Sequence, residues 1–334
     1  MTIKVGVNGF GRTGRAFFRA ATRSGLDIEI VAVNDLAPAA SLAHLLARDS
    51  VFGAFGHAVS VDGDEMQVGE SRPVLMLREP EVKALPWGDL GLDVVVEATG
   101  RFTSRAAAAA HLDAGAKRVV VSAPCKGADA TFVMGVNDET FDPASHLVVS
   151  NASCTTNCLV PMVKVLDDAF GLEHAFMTTV HAYTGDQRLV DSVHKDDRRA
   201  RAAALNIVPT TTGAARATSE VLPHLAGRLD GIALRVPVPD GSMTDLVANL
   251  RTPASADEVR AAFKQAAESA PLRGRLEYSE EALVSTDIIG SSASCVFDAE
   301  LTMSAGTFVK VLGWYDNEFG YASRLAELVA KVGG

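Results

Sequence analysis

Apolar and polar positions alternate in two different ways along this chain. Up to about residue 150, short apolar runs alternate with stretches whose apolar side chains recur at helical spacing. The runs predict buried strands at 3–8, 28–33, 93–100, 117–122 and 146–149. Helices are predicted at 15–24 and, in an alanine-rich stretch, at 105–114. Strands that alternate with helices indicate an α/β fold with a doubly wound parallel sheet.

Beyond residue 153 the pattern changes to longer strands. These strands are predicted at 173–181, 229–237, 244–250 and 307–314. Helices are predicted at 211–224, 257–270 and 318–332, the last of them amphipathic. This order favours a second, α+β domain with a mostly antiparallel sheet covered by helices.

Composition excludes several classes of protein. The 334 residues carry a formal net charge of −10, which lacks the basic footprint of a nucleic-acid binder. No apolar run reaches the roughly 18 residues that a membrane span requires. The four cysteines suggest neither a disulfide framework nor a zinc site, so no metal is expected. Because the chain begins directly with a strand, we expect no signal peptide and a soluble, cytoplasmic protein.

A Gly-x-Gly-x-x-Gly motif at residues 9–14 lies between the first strand and the first helix. In this context the motif predicts a dinucleotide site. Gly9 permits the tight turn, Gly11 allows backbone to approach a pyrophosphate, and Gly14 allows helix and strand to pack closely.

Asp35 follows the second strand, at the distance where an acidic residue binds the adenosine ribose. The alternative role for Asp35 is that of a turn or capping aspartate. Together with Asn8, Thr99 and Ser122 it ends one of four parallel strands, and such ends line one crevice. The first domain therefore predicts a dinucleotide cofactor.

Cys154 lies at a strand-to-helix turn, within Ser150–Cys158. A helix N-terminus favours a thiolate and is expected to lower the pKa of the thiol. Ser153 and Thr155 add hydroxyls that can help to hold an anion. A buried structural cysteine in a polar turn is the alternative interpretation.

His181 ends a predicted strand and is the candidate base for Cys154. A neighbouring imidazole can accept the thiol proton and leave a thiolate–imidazolium pair. Sequence spacing alone does not bring these two residues together, and a buried structural histidine is the alternative.

Two further features predict anion binding. Residues 210–213 read Thr-Thr-Thr-Gly and open a helix, which creates a second N-terminus suited to anions. Arg235 lies inside an apolar strand, where an arginine is rarely buried without a partner. We therefore expect an anionic partner for Arg235.

Taken in order, these motifs resemble glyceraldehyde-3-phosphate dehydrogenase over essentially the whole chain. The resemblance rests on five segments: residues 9–14, 150–158, 181–184, 209–215 and 313–318. It implies an NAD-binding Rossmann domain at 1–152, completed by the C-terminal helix at 318–334, and a catalytic domain at 153–317. It also implies a homotetramer.

The resemblance assigns roles to matching positions. Cys154 would be the nucleophile and His181 its base. The dinucleotide would contact Arg12, Thr13, Asp35, Arg78, Ser122 and Asn317, in addition to the glycines and Thr99. The phosphate of the substrate would be held by Thr184 and Arg235. The attacking phosphate would be held by Ser153, Thr155, Thr212 and Gly213, with Arg201 near both.

The implied reaction oxidises glyceraldehyde 3-phosphate with NAD and inorganic phosphate to 1,3-bisphosphoglycerate, a step of glycolysis and gluconeogenesis. It passes through a hemithioacetal and a thioester on Cys154. Asp35 favours NAD, since a 2′-phosphate would meet its carboxylate. The pair Ser192-Val193 replaces the Leu-Pro of NAD-only members, so NADP stays possible.

Other functions stay open at this point. One is an erythrose-4-phosphate dehydrogenase, in which water replaces phosphate, although the Thr211-Thr212-Gly213 motif argues against it. Others are an inhibitor-tolerant second isozyme and a non-catalytic paralogue.

Overall fold

The chain divides into two compact units in its computed structural model. The structure describes residues 2–334, so Met1, the first residue of the predicted NAD-binding domain, lies outside the described residues. The first unit contains the stretch up to Phe132, Asp138–Ala152 and Ala322–Gly334. The second contains Val133–Asn137 and Ser153–Tyr321.

The first unit is built on a nine-stranded sheet with a small separate hairpin. Its strands are β1 (Ile3–Asn8), β2 (Ile28–Asn34), β3 (Arg48–Asp49), β4 (Gly53–Ala54), β5 (Val59–Asp62), β6 (Glu65–Val68), β7 (Val74–Leu77), β8 (Val94–Glu97), β9 (Arg118–Val121), β10 (Ala130–Thr131) and β11 (Val148–Ser150). The strand order is β10-β11-β9-β8-β1-β2-β7-β6-β5, and β3 pairs with β4.

All sheet pairs from β10 to β7 are parallel, which confirms the predicted doubly wound sheet. The central strand β8 is buried at every position, because helices cover both faces of such a sheet. Antiparallel β5 and β6 extend one edge. Because β1, β2 and β8 run in the same direction, their carboxyl ends bring Asn8, Asn34 and Glu97 to the same edge.

The helices of the first unit are α1 (Arg12–Ser24), α2 (Ala39–Ala47), α3 (Arg105–Ala108) and α4 (Ala110–Asp113). Short 3₁₀ turns lie at Val82–Ala84 and Asp138–Thr140. Helix α2 was not predicted. The single helix predicted at 105–114 is wrong in detail, because it divides at Ala109, where i to i+3 hydrogen bonds tighten the backbone.

Within the described residues, the second unit contains a seven-stranded sheet and three helices, and it also includes the start of the C-terminal helix. Its elements are α5 (Cys154–Phe170), β12 (Leu172–Ala182), β13 (Val208–Thr211), α6 (Ala214–Val221), β14 (Leu229–Val236), β15 (Ser242–Leu250), α7 (Ala256–Glu268), β16 (Leu276–Ser279), β17 (Cys295–Ala305) and β18 (Phe308–Tyr315). Helix α8 (Phe319–Gly333) follows β18, and 3₁₀ turns lie at Pro223–Leu225 and Ser285–Ile288. Strands β13, β16 and β17 were not predicted. The helix predicted at 211–224 begins only at Ala214, because the preceding residues pair with β14 as strand β13.

The sheet of the second unit has the order β13-β14-β12-β15-β18-β17-β16. Four of its pairings are antiparallel, whereas β12 pairs with β14 and β16 with β17 in parallel. Helix α5 packs on one face, where Met177, Leu246 and Val311 are buried. Its apolar packing holds the start of α5 against the ends of the central strands.

The opposite face of this sheet exposes apolar side chains. Phe176 lies opposite Val247, which lies opposite Lys310, and Lys310 lies opposite Met303, so their side chains share one face. Four large side chains on this face are 49% to 71% exposed: Phe176, Ile232, Met303 and Phe308. Over residues 2–334, no helix has both the length and the apolar character that crossing a membrane requires.

Candidate active site

Cys154 is the first residue of α5, as the sequence predicts. The chain reverses direction at Ala152, whose φ of 54° lies in the left-handed region. Ser153 is the N-cap of α5, and its Oγ accepts a hydrogen bond from the N–H of Thr156 at 3.1 Å. The sulfur therefore lies beside the free N–H groups of a 17-residue helix.

His181, near the end of β12, lies next to this sulfur. Its Nε2 is 3.4 Å from Cys154 Sγ, and the residue is 3% exposed. Its Nδ1 lies 2.7 Å from the carbonyl oxygen of Ala182, and we assign the ring tautomer from this contact. Nδ1–H donates to the carbonyl, so the lone pair of Nε2 faces the thiol. The fold thus brings together the two residues that sequence spacing left apart.

Arg235 approaches the same imidazole from the neighbouring strand. The parallel register of β12 and β14 places Arg235 opposite His181. Its Nη1 donates to the Ala182 carbonyl at 3.1 Å and lies 2.5 Å from His181 Nδ1. Because a guanidinium can only donate and Nδ1 carries a proton, the two groups share this carbonyl as their acceptor and form no hydrogen bond with each other. The guanidinium is half-buried and meets a ring nitrogen and a carbonyl, without an acidic side chain at hydrogen-bond distance among these contacts. A cation placed in this way is suited to an anionic group of a ligand.

Burial dominates the protonation of this pair. It raises the pKa of Cys154 to about 11, although Arg235 and the backbone and hydroxyl of Thr155 act in the opposite direction. Burial, with the charge of Arg235, lowers the pKa of His181 to about 3. The sequence-based expectation of a lowered thiol pKa is therefore wrong in direction, because desolvation outweighs the helix start. A neutral thiol therefore faces a neutral imidazole, and the proton can pass between them only as the sulfur forms a new bond.

Tyr315, at the end of β18, is a site residue that the sequence analysis missed. Its hydroxyl lies 2.9 Å from Thr155 Oγ1 and 2.7 Å from Thr179 Oγ1. Its ring packs edge-on against the imidazole of His181, with centroids 5.9 Å apart. The tyrosine therefore supports the helix start through the hydroxyl of Thr155, a residue predicted to hold phosphate. Its position in the Trp-Tyr-Asp-Asn-Glu segment was the available signal.

The structure favours Arg199 over the predicted Arg201 as the second arginine near this site. Arg199 donates to Asp186 at 2.7 Å and to Thr210 Oγ1 at 3.0 Å, and its charge acts on both His181 and Arg235. Arg201 instead pairs with Asp191 at 2.8 Å, and its side chain is 62% exposed. The two arginines are two residues apart in a loop, where a small change of register reverses which one faces inward.

The other predicted phosphate ligands lie at two helix starts and in the loop after β12. The hydroxyl of Ser153 caps α5, and Thr212 Oγ1 accepts from the N–H of Ala214 at 3.2 Å. Gly213 is the N-cap of α6. Thr184 is half-buried and donates its N–H to Gln187 Oε1 at 3.4 Å.

Asn317 lies two residues after Tyr315, and its side chain is held by Ser242 at the start of β15. Ser242 Oγ accepts from the N–H of Ala182 at 3.0 Å and donates to Asn317 Oδ1 at 2.6 Å. Because Oδ1 is used in this way, the side-chain NH₂ group of Asn317 is left to donate to a ligand.

The first unit contains a pocket of about 250 Å³ at the carboxyl ends of β1, β2 and β8. Four residues predicted to bind the dinucleotide line it: Gly9, Gly11, Asp35 and Thr99. Asp35 is oriented by two backbone N–H groups, with Oδ2 accepting from Phe10 at 2.7 Å and Oδ1 from Ala37 at 3.0 Å.

The remaining predicted cofactor residues of this unit do not line the pocket. Arg12 pairs with Asp49 at 2.8 Å, and the neighbouring Thr13 is half-buried in the first turn of α1. Arg78 donates to the carbonyl of Leu36, a lining residue, at 2.8 Å. Ser122 donates to the carbonyl of Glu97 at 3.0 Å.

A buried carboxylate below this pocket was not predicted. Glu97 is 2% exposed and accepts from Asn8 Nδ2 at 2.7 Å and from the N–H of Thr99 at 2.8 Å. His111 Nε2 lies 3.0 Å away. Trp87 Nε1–H donates to His111 Nδ1 at 3.0 Å, so the ring proton lies on Nε2 and points at Glu97. This network ties the ends of β1 and β8 together.

Two family comparisons cover most of the chain. Residues 3–105 match "Glyceraldehyde 3-phosphate dehydrogenase, NAD binding domain", and residues 153–317 match the C-terminal domain of the same family. The glyceraldehyde-3-phosphate dehydrogenase of Streptomyces coelicolor is 57% identical over 334 residues, covering 100% of this chain and 99% of that protein. The enzyme of Mycobacterium avium is 55% identical over 339 residues, with the same coverage. This chain belongs to the glyceraldehyde-3-phosphate dehydrogenase family.

The residues of the first unit fit the NAD that this family binds. A Cβ built on Gly11 meets nothing within 4 Å, so open space lies above the first turn of α1. The N–H groups of that turn suit a pyrophosphate. A Cβ on Gly14 would instead lie 2.1 Å from the carbonyl oxygen of Gly9. In this chain, the two glycines therefore serve different purposes.

We predict that Gly14→Ala lowers Tm, because overpacking against backbone costs about 1–3 kcal/mol or more. Gly11→Ala is the matched variant. Its φ of −68° suits alanine, so Tm should stay unchanged while NAD binds roughly ten-fold more weakly. Thermal unfolding and calorimetric titration with NAD test both variants. Equal stability of the two variants would contradict the packing argument.

We predict that His181→Gln slows alkylation of Cys154 by iodoacetamide at least about ten-fold at neutral pH. The half-buried thiol loses the imidazole that accepts its proton as the S–C bond forms, so alkylation must pass through the thiolate, which is scarce below the raised pKa of Cys154. Rates measured across pH, with mass spectrometry of the labelled peptide, test this. Cys158→Ser is the control, since Cys158 is fully buried one turn along α5. An unchanged pH profile in His181→Gln would rule out the proposed base.

Proposed function

We propose that this chain is a phosphorylating glyceraldehyde-3-phosphate dehydrogenase that uses NAD. It would convert glyceraldehyde 3-phosphate and inorganic phosphate to 1,3-bisphosphoglycerate, in glycolysis or gluconeogenesis. The observation that carries the proposal is the 3.4 Å approach of Cys154 Sγ to His181 Nε2, in a chain of this family. Catalysis of this kind requires a nucleophile and a base within reach of each other.

The first step is addition of sulfur to the aldehyde. As the S–C bond forms, the thiol proton passes to His181 Nε2, which the tautomer leaves free to accept it. The N–H groups at the start of α5 stabilise the developing oxyanion, because they are directed to the place where the sulfur attacks the aldehyde. The imidazolium then gives this proton to the oxyanion, so the product is a hemithioacetal on Cys154 and His181 is neutral again.

The oxidation step removes a hydride and a hydroxyl proton from the hemithioacetal. NAD supplies the hydride acceptor when it is bound. His181 takes the hydroxyl proton as the C=O bond of the thioester forms. Inorganic phosphate then attacks the thioester carbonyl, and the Cys154 sulfur leaves with its proton restored, which completes the cycle.

Two groups of residues are proposed to hold the two phosphates. Arg235 and Thr184 would hold the phosphate of the substrate, because Arg235 is a half-buried cation beside the base. The attacking phosphate would meet the helix starts that carry Ser153, Thr155, Thr212 and Gly213. Arg199 takes the place proposed for Arg201 from the sequence, since its charge reaches both His181 and Arg235.

A homotetramer is proposed from two exposed apolar surfaces of the second unit. One is the sheet face with Phe176, Ile232, Met303 and Phe308. The other is the loop after β12, whose exposed apolar residues are Leu189, Val190, Val193, Leu205 and Ile207. Apolar patches of this kind mark protein–protein contacts. Two distinct surfaces are what an assembly larger than a dimer requires.

NAD is proposed as the preferred dinucleotide over NADP. The Asp35 carboxylate is fixed by two backbone N–H groups, so it cannot turn away from a 2′-phosphate without losing them. Val193, which replaces a proline of NAD-only relatives, is 90% exposed and offers no donor to a 2′-phosphate. A cytoplasmic location accords with this substrate and cofactor.

We predict that NADH formation from glyceraldehyde 3-phosphate requires phosphate or arsenate. Cys154→Ser should abolish turnover, because a serine hydroxyl is scarcely ionised and cannot form the thioester. Cys158→Ser, which leaves the nucleophile in place, should keep most of the activity. Absorbance at the NADH band measures each rate. Activity that is indifferent to phosphate would overturn the proposal in favour of hydrolytic oxidation, as in erythrose-4-phosphate dehydrogenase.

We predict that Arg199→Ala lowers kcat/KM at least about ten-fold and raises the apparent KM for phosphate, since a charge-assisted contact contributes about 1.5–3 kcal/mol. Arg201→Ala removes the same charge two residues away and should change kcat/KM less than about two-fold, because its ion pair is exposed. Steady-state kinetics with phosphate varied distinguish the two. A larger loss in Arg201→Ala would restore the assignment made from the sequence.

A further inference from the structure

Two buried carboxyl groups face each other inside the second unit, within hydrogen-bond reach. Asp240, in the turn between β14 and β15, is 1% exposed, and its side chain meets that of Asp316, which is also 1% exposed. Asp316 follows β18 and precedes Asn317. Neither residue takes part in the chemistry described above.

Hydrogen-bond donors are distributed unequally between the two carboxyl groups. Asp316 accepts from three backbone N–H groups, those of Gly290 at 2.7 Å, Glu318 at 2.8 Å and Phe319 at 2.6 Å. Asp240 Oδ1 accepts only from the N–H of Gly241 at 2.9 Å. Among residues 2–334, no group donates a hydrogen bond to the buried Asp240 Oδ2. A hydrogen bond between two carboxyl groups therefore requires a proton on one of them, and Asp240 is the one that lacks other donors.

The surrounding charges favour the same assignment. Burial raises the pKa of Asp240 to about 8, and the facing charges of Asp316 and Glu318 act in the same direction. The thiol of Cys154 also lies within the electrostatic reach of Asp240. Burial raises the pKa of Asp316 as well, but its three N–H partners oppose that change. One proton is thus retained by the pair at neutral pH.

The pair lies beside the residues that orient Asn317. Gly241 and Ser242 follow Asp240 directly, and Ser242 donates to Asn317 Oδ1 at 2.6 Å. Asp316 precedes Asn317 and holds the N–H groups of the two residues after it. The turn that carries Ser242 and the segment that carries Asn317 are therefore joined by the hydrogen bond from Asp240 to Asp316.

We propose that Asp240 is a protonated positioning residue, whose hydrogen bond to Asp316 fixes Asn317 for dinucleotide binding. The inference rests on the proposed role of Asn317 as a cofactor contact. Loss of the proton would place carboxylates of Asp240 and Asp316 side by side, with Glu318 nearby. Their repulsion would separate the turn from the segment and release Asn317.

The first experiment measures the proton without any ligand. Between the ordinary aspartate pKa and about 8, the folded chain holds a proton that the unfolded chain has released, so stability falls as pH rises. Asp240→Asn keeps a donor and removes this linkage. Its Tm should therefore exceed that of the unmutated protein by a margin that widens from about pH 5 to about pH 8 and then stays constant. Parallel Tm curves would overturn the proposal.

The second experiment measures NAD affinity by calorimetry in the same proteins. From about pH 7 to about pH 9, the dissociation constant of the unmutated protein should rise up to about ten-fold, whereas that of Asp240→Asn should stay flat. Asp240→Ala, which lacks the donor, should bind NAD about five- to ten-fold more weakly at every pH. If Asp240→Ala bound NAD as tightly as the unmutated protein, the positioning role would be overturned.

These outcomes are separate from those that test the proposed function. Phosphate-dependent NADH formation by the unmutated protein tests the activity and does not depend on Asp240. If the unmutated protein is active in that assay but Asp240→Ala binds NAD normally, the proposed function stands and only this inference is refuted. If Asp240→Asn kept the NAD affinity that Asp240→Ala loses, the inference would be supported. A purely structural aspartate would not give a pH-dependent difference.

Discussion

The parallel pairing of β12 with β14, with α5 packed across their sheet, is the constraint on which the site depends. It places Arg235 opposite His181, and the first residue of α5 lies 3.4 Å from the same imidazole. A shift of one residue between the two strands would turn Arg235 to the other face of the sheet. The apolar burial along α5 therefore determines the geometry of the reacting groups, although none of those apolar side chains meets a substrate.

Desolvation is the main electrostatic effect at this site. Burial raises the pKa of Cys154 and lowers that of His181, so both groups are neutral until sulfur attacks. The hydrogen bond from Nδ1 to the Ala182 carbonyl is what makes the neutral ring useful, because it leaves Nε2 free. The Tyr315 hydroxyl is hydrogen-bonded to Thr155, and its ring packs against the imidazole of His181, so it holds both in place. The arrangement favours proton transfer during bond formation over a preformed ion pair.

Each unit also contains buried acidic groups whose role is to hold backbone in position. Glu97 joins β1 to β8 below the dinucleotide pocket, and Asp316 holds the start of α8. Buried carboxylates are costly unless several donors surround them. Glu97 has these donors, whereas Asp240 has one N–H and must supply its own proton. The same rule on hydrogen-bond donors therefore leads to different arrangements at these two buried acidic residues.

The sequence by itself determined the fold class, the strand-to-helix position of Cys154 and the need for glycine at positions 9 and 14. These properties are local, because apolar periodicity, capping residues and backbone steric limits act over a few neighbouring positions. Only the tertiary structure decided that His181 meets Cys154, that Arg199 faces inward while Arg201 faces solvent, and that Tyr315 supports the base. It also decided that burial, and not the helix start, dominates the thiol pKa. Contacts between distant segments and their desolvation depend on how whole elements pack, which no short stretch of sequence contains.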